Sequence, residues 1–278
     1  MRVRVEVTDD PAEARAAAGT LLRARPVEHN VVLTLLDDRA ATGRPGRYWW
    51  ATVDGTVTGF VLRSPREYYA SIVPMEGPTV DALVDVVRED GTPLPGVIGE
   101  AATSARFAGR WTERTNTGAH PREGQRLYRL GALTEPTGVA GHLRPATPGD
   151  ADVLTEWAAG FERDTDMPVP GDRREMIEAR IAGGRMWVWE DDDGPACMAV
   201  GTAAVEGVSR IGFVYTPDAR RGRGYAAACV GRLSGHLLET EAEVCILFTQ
   251  LANPTSNGIY RRLGYEAVGE LLTYDLDG

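Results

Sequence analysis

The chain contains no lysine: all 30 of its cationic residues are arginines, set against 40 acids for a formal net charge of −10. Arginine does not titrate near neutrality, so the cationic sites are fixed charges. The excess of acid disfavours bulk attraction to nucleic acid or to an anionic membrane surface. Histidine and cysteine are scarce too, at four and three residues. His29, His120, His142 and His236 are isolated from one another, and no cysteine or histidine spacing fits a metal site, so no metal is expected. Cys197, Cys229 and Cys245 lie far apart in apolar surroundings and read as small core hydrophobes of a reducing compartment. No stretch approaches about 18 uninterrupted apolar residues, and the start, Met-Arg-Val-Arg-Val-Glu-Val, lacks the apolar region of a signal peptide. These absences predict a cytoplasmic protein with no membrane or nucleic-acid partner.

What is present is an ordinary globular composition, 43% hydrophobic and 25% charged over 278 residues, a length that suits two domains. Alternation at 2–7 predicts a strand, and helical spacing follows at 11–25 and 28–41. Runs at 48–53 and 57–62 flank Asp54-Gly55, a strong hairpin signal. A strand at 68–73, a helix at 79–87, a strand at 96–98, a helix at 101–110 and a strand at 125–130 complete the first half. Residues 131–141 are poor in periodicity, with Pro136 and three glycines, and read as a linker. The order then repeats: strand 143–145, helices 150–161 and 173–182, and strands 186–189 and 196–204 about the acidic turn Asp191-Asp192-Asp193-Gly194. Strand 209–215, helix 225–238, strand 244–248, helix 256–263 and strand 266–274 follow. The repeated order with little shared identity predicts an old duplication of one α/β unit. The expected domains are 1–133 and 143–278, joined by a linker at 134–142. Each is a mixed, mostly antiparallel sheet flanked by helices.

The most informative stretch runs from Ile211 to Val230. An apolar strand enters a loop through Pro217, passes Arg220-Arg221-Gly222-Arg223-Gly224, and opens a helix whose Ala226, Val230, Leu233 and Leu237 form one apolar stripe. A helix start offers unpaired N–H groups and a partial positive charge, a natural seat for phosphate. Glycines let ligand oxygens reach the backbone, and three arginines in four residues mark a local anionic site in an acidic chain. Gly222-Arg-Gly224-Tyr-Ala-Ala227 also fits the dinucleotide fingerprint. Its glycines, however, come seven residues after Tyr215 rather than directly off the strand, and antiparallel hairpins precede it.

Arg221-Gly-Arg-Gly224-Tyr-Ala226 resembles the R/Q-x-x-G-x-G/A signature of the GCN5-related N-acetyltransferases (GNAT family), whose loop holds the pyrophosphate of acyl-CoA. Downstream, Asn253-Pro-Thr-Ser-Asn257-Gly-Ile-Tyr260-Arg-Arg-Leu-Gly264-Tyr265 resembles the family's N-x-x-(S/A)-x-x-x-Y-x-x-x-G-(F/Y) segment. The resemblance covers 143–276, and its wording is similar to that of bacterial two-part members. It implies acetyl-CoA as cosubstrate, held by Val214, Tyr215, Thr216, Arg221, Gly222, Arg223, Gly224, Tyr225, Ala226, Asn253 and Asn257. It implies a strand pair that splays beyond Val214, a backbone N–H there that polarises the thioester, and Tyr260 as general acid. Where some members carry a glutamate base this chain has Arg210, which cannot serve. Glu206 and Ser209 lie nearby, a water relay is equally open, and no base is assigned.

The first half departs from the pattern. Between Val73 and Thr79 it reads Pro74-Met-Glu-Gly-Pro78, with an acid and no arginine, which repels phosphate. It is expected either to wall the acceptor pocket or to be a separate binding module. Trp49 and Trp50 are adjacent in a strand and face opposite sides, so one is expected at an interface or at the acceptor. Trp187 and Trp189 share a face and are expected in the core. The acidic stretch 190–193 reads as a solvated turn. The expected activity is direct acetyl transfer from acetyl-CoA to the amine of a small molecule, by a monomer or homodimer. The alternative is a non-catalytic acyl-CoA-binding or regulatory protein.

Overall fold

A computed structural model describes residues 2–91, 93–165 and 171–277. The chain divides into two units, one of Met1–Leu127, Thr249–Ala252 and Val268–Gly278, the other of Tyr128–Phe248 and Asn253–Ala267.

The first unit opens with β1 (Val3–Thr8), α1 (Pro11–Arg23) and α2 (Asn30–Thr42). Asp10 starts α1 by accepting from the Ala12 N–H, with Pro11 pre-set for the first turn. β2 (Arg47–Val53) and β3 (Thr56–Arg63) form the hairpin read from Asp54-Gly55, and both turn residues take positive φ as a tight twisted turn requires. β4 (Ala70–Ile72), α3 (Gly77–Glu89), β5 (Gly96–Glu100), α4 (Ala101–Thr115), β6 (Ala119–Pro121) and β7 (Gln125–Leu130) follow. β1 through β4 pair antiparallel in sequence order, and β4 pairs parallel with β5. The next strand against β5 is the second half of β13 (Tyr265–Leu276), antiparallel from Leu271↔Glu100 to Asp275↔Gly96.

The second unit repeats this plan with β8 (His142–Pro145), α5 (Ala151–Thr165), α6 (Arg173–Ala182), β9 (Met186–Asp191), β10 (Gly194–Gly201), β11 (Val208–Tyr215), α7 (Tyr225–Thr240), β12 (Val244–Gln250) and α8 (Pro254–Arg262). β8 through β11 pair antiparallel in order, and β11 pairs parallel with β12. The expected element order and mixed, mostly antiparallel sheets are therefore present in both units. Two apolar layers sandwich the second sheet. Ile211, Cys197, Cys229, Leu233 and Leu247 pack on the α7 side. Leu154, Trp157, Ile177, Val188 and Met198 pack on the α5–α6 side.

Three observations bear on the expectations. Residues 134–142, expected as a linker, lie against the second unit. Leu133 and Val139 pack on the second unit's core, the Thr134 N–H donates to the Leu263 carbonyl at 3.0 Å, and Trp189 Nε1 donates to the Ala140 carbonyl at 2.9 Å. Residues 268–278 cluster with the first unit, because their backbone hydrogen bonds go to β5. Both Trp49 and Trp50 are buried, so neither is left for a partner. Trp49 packs against α3 and α4, while Trp50 turns its Nε1 to Glu6 at 2.7 Å. Trp187 and Trp189 do share a core face. No helix among the described residues is long and apolar enough to cross a membrane.

Candidate active site

β11 and β12 separate after four pairs. Their register runs from Val208↔Val244 to Ile211↔Leu247, and Gly212 to Tyr215 continue without a β12 partner. The cause lies on the other edge of β11. There the pairs with β10 jump from Gly212↔Val200 to Tyr215↔Met198, so Phe213 and Val214 together oppose one residue. This is a β-bulge, and Phe213 holds it at φ +55, a conformation bulky residues rarely adopt. A bulge bends its strand and takes backbone groups out of the ladder, which opens a gap beside Val214. Val214 turns its side chain to the α7 layer, while Phe213 and Tyr215 pack on the α5–α6 layer.

Beyond β11 the chain passes Thr216 and a short 3-10 turn, Asp218–Arg220, to reach α7. Gly224 precedes α7 at φ +83, and no side chain caps the helix. Gly222 stands at φ +77 with open space where a Cβ would be. The Thr216 hydroxyl oxygen is buried without a hydrogen-bond partner among the described residues. An uncapped helix start, a glycine facing open space and an orphaned hydroxyl together fit an anionic, oxygen-rich group such as the pyrophosphate of CoA.

The three arginines divide their labour in a way the sequence did not reveal. Arg220 is tied to the β9–β10 hairpin: it pairs with Asp191 at 3.1 Å and with Asp193 at 3.4 Å, and it donates to the Asp193 carbonyl. Asp191 also accepts from the Tyr225 hydroxyl, and this bond, more than Arg220, holds its carboxyl below the usual range. The acidic turn is thus an anchor for the loop rather than a purely solvated feature. Arg221 donates through Nε to the Thr216 carbonyl, pairs with Asp164 and Asp218, and lies 5.7 Å from the centre of the Tyr215 ring. Arg223 is exposed and joins no ion pair among the described residues. Arg220 and Arg221 shape the loop, and Arg223 is the one of the three with no acidic partner among the described residues.

Asn253 caps α8, accepting from the Ser256 N–H at 2.9 Å. Asn257 is buried, donating to the Asn253 carbonyl and accepting from the Tyr128 hydroxyl at 2.9 Å. Their side chains thus hold the start of α8, and through it the position of Tyr260. Ala226 borders the α7 layer one residue into the helix. Tyr260 is 8% exposed and packs between Tyr128 and Tyr265, with ring centres 6.4 and 6.2 Å away. Burial, and then Cys197 and Cys229, push its pKa well above the ordinary tyrosine value, so the phenol stays protonated at working pH. Of the groups considered for a base, Glu206 is exposed in a turn at φ +49, and the Ser209 hydroxyl is fully buried.

In the first unit the matching strand–loop–helix passage is short and acidic. Only Val73, Pro74, Met75 and Glu76 separate β4 from α3. The Arg106 guanidinium occupies the space beside Gly77 and donates to its carbonyl at 3.1 Å. A cavity of about 580 Å³ lies there, lined by Met75, Glu76, Glu100, Arg25 and Arg106 among others.

Residues 195–273 match the model of the FR47-like protein family. No curated protein matches the sequence. Among solved structures, a GNAT-family acetyltransferase from Colwellia psychrerythraea is 9% identical, with a TM-score of 0.62 over 99% of this chain and 100% of that one. A GCN5-related N-acetyltransferase from Sphaerobacter thermophilus is 18% identical, with a TM-score of 0.61 over 97% and 94%. A tandem GNAT protein from the clavulanic acid biosynthesis pathway is 12% identical, with a TM-score of 0.58 over 98% of both chains. The chain carries the GNAT fold, and its segment 195–273 is FR47-like.

Proposed function

We propose that the protein is an N-acetyltransferase that moves an acetyl group from acetyl-CoA directly to the amine of a small molecule. The observation that carries this reading is the bulge at Phe213–Val214, which opens β11 from β12 directly ahead of an uncapped glycine loop. Acetyl-CoA supplies an activated acyl thioester. The amides of Gly222 to Ala226 and the Arg223 guanidinium would hold its pyrophosphate, with Arg221 keeping the loop in shape. The backbone at Val214 would orient and polarise the reacting carbonyl. Tyr260, kept protonated, would donate a hydrogen bond toward the departing sulfur, and the surrounding tyrosines and Cys197 would exclude water there. With no lysine in the chain, acetyl storage on a lysine of the enzyme is ruled out, and direct transfer is the simpler route.

A second reading, an acyl-CoA-binding protein without turnover, is favoured by one observation: the strand position suited to a base holds Arg210. Thiol release from acetyl-CoA over a panel of amines, with binding measured by calorimetry, separates the two. Release supports transfer, whereas binding without release over a broad panel supports the second reading. Loss of both would remove acetyl-CoA from the account.

A further inference from the structure

β1 is the outermost strand of the first unit's sheet. One side of it pairs with β2 without a break, from Val3↔Val53 to Thr8↔Tyr48, and its other side pairs with no strand among the described residues. Every second residue of such a strand turns its N–H and carbonyl outward, so the edge is a template for another strand. Edges of this kind are ordinarily guarded by a bulge, a proline or a very short length. β1 has none of these: it is six residues long, Val-Arg-Val-Glu-Val-Thr, in a continuous register. Val3 and Val5 pack on the core shared with α3 and α4. Val7 follows them on that face by alternation, yet it is 42% exposed, one of two large apolar residues so exposed among the described residues. Arg4 and Glu6 stand on the opposite face, 2.6 Å apart, and Glu6 also accepts from Trp50 Nε1. The Arg4 side chain is 76% exposed.

The segment Val3-Arg4-Val5-Glu6-Val7 has the same apolar pattern in either direction, with the two charges exchanged in sign. Antiparallel strands related by a two-fold axis through Val5 would therefore set Val3 against the partner's Val7, Val5 against the partner's Val5, and Arg4 against the partner's Glu6. Other registers lack this match. An axis through Arg4 opposes two arginines, an axis through Glu6 opposes two glutamates, and an axis between residues sets valines against charges. We propose that β1 is a self-association edge, and that the protein forms a homodimer by antiparallel pairing of β1 with β1 of a second copy about Val5. This does not rest on the acetyl-transfer reading. The pairing covers Val7 with a valine and closes four charges of alternating sign across the seam, a fit that a strand of unrelated sequence does not offer. Six residues from each copy cover less than a permanent interface does, so the dimer is expected to be reversible. It gives the first unit a task that needs no ligand.

Sedimentation velocity of the full chain over a concentration series should show a monomer–dimer equilibrium, and a monomer throughout overturns the proposal. Arg4→Glu places four carboxylates across the seam and should raise the dissociation constant by at least about tenfold. A dimer that Arg4→Glu leaves unchanged is held by another surface, which also overturns it. Glu6→Arg should weaken the dimer in the same way. An equimolar mixture of the two variants should regain it, because position 4 of each chain then meets the opposite charge at position 6 of the other. Glu6→Arg also gives up the Trp50 bond, so thermal unfolding checks its fold, and a cysteine variant supplies a second route. Cys197, Cys229 and Cys245 are all buried. With oxidised glutathione, Val5→Cys should therefore give a disulfide-linked dimer, whereas Val3→Cys, whose counterpart is Val7, should stay monomeric on a denaturing gel. Linkage through Val3→Cys without linkage through Val5→Cys refutes the register and the proposal with it.

Discussion

The passage from β4 to α3 and the passage from β11 to α7 occupy the same place in the same topology, and they differ in what the helix start meets. At α7 two glycines in left-handed conformation precede an uncapped first turn, with open space at Gly222 and a Thr216 hydroxyl that has no partner among the described residues. At α3 four residues suffice, an acid stands at the cap position, and an arginine from α4 covers the first glycine. The same helix dipole therefore faces vacant donors in one unit and a carboxylate in the other. Topology supplies the helix start, and loop chemistry decides whether it receives an anion.

The sharpest way to break this comparison is to put an acid into the second loop. Gly224→Glu should weaken acetyl-CoA by at least 100-fold in calorimetry, since a side chain at φ +83 strains the turn and a carboxylate repels phosphate. Glu76→Gln in the first unit should leave the affinity within twofold, and wild type should bind one acetyl-CoA per chain; a stoichiometry of two would sink the contrast. Next in size, Tyr260→Phe should lower kcat by roughly 10- to 100-fold while acetyl-CoA affinity changes less than threefold. Unaltered kcat would reduce Tyr260 to a packing residue. Arg220→Ala should weaken acetyl-CoA about tenfold, close to the contribution of a charge-assisted hydrogen bond, by freeing the loop from the Asp191 turn. An equal loss in Arg223→Ala, which pairs with no acid among the described residues, would locate the effect in charge rather than in loop anchoring.

The smallest effect concerns the second unit's helix start at α5, where Asp150 accepts from the Thr147 N–H and pairs with Arg144 at 2.8 Å. Arg144 above all holds the Asp150 carboxyl down at about 2, below its ordinary 3.8. A depressed carboxylate stabilises the fold fully above the unfolded value and loses that contribution as pH falls toward the folded one. The unfolding free energy of wild type should therefore drop between pH 4 and pH 2, and Asp150→Asn should flatten that limb by about 1–2 kcal/mol. Denaturant titrations at both pH values measure it. An unchanged slope would show that the pair contributes nothing.

Much of the fold was legible because its signals are local. Asp54-Gly55 fixes a hairpin by backbone conformation alone, Asp172 before Arg173 marks the start of α6, and Gly222 and Gly224 announce the loop. The elements that escaped depend on distant partners. β6 is three residues that become a strand through β13, which lies far along the chain. The second half of β13 reads like any other strand, and only its pairing with β5 assigns it to the first unit. The bulge was hidden because its left-handed residue is a phenylalanine, where sequence reasoning looks for glycine. The arginine cluster was visible, but its division of labour turns on Asp164 and Asp191 from two other elements. The opposed signs of the acidic turn and the basic loop were the clue that could have linked them.

The strand that closes the first unit's sheet is also a statement about time. Residues 268–278 leave the ribosome only after the whole of the second unit's sheet has been made, so until then β5 presents an unpaired edge. The first unit thus emerges incomplete, and a fragment ending near residue 127 would keep that edge open to other chains. In this protein the half without the glycine loop cannot be finished until the half with one has been synthesised.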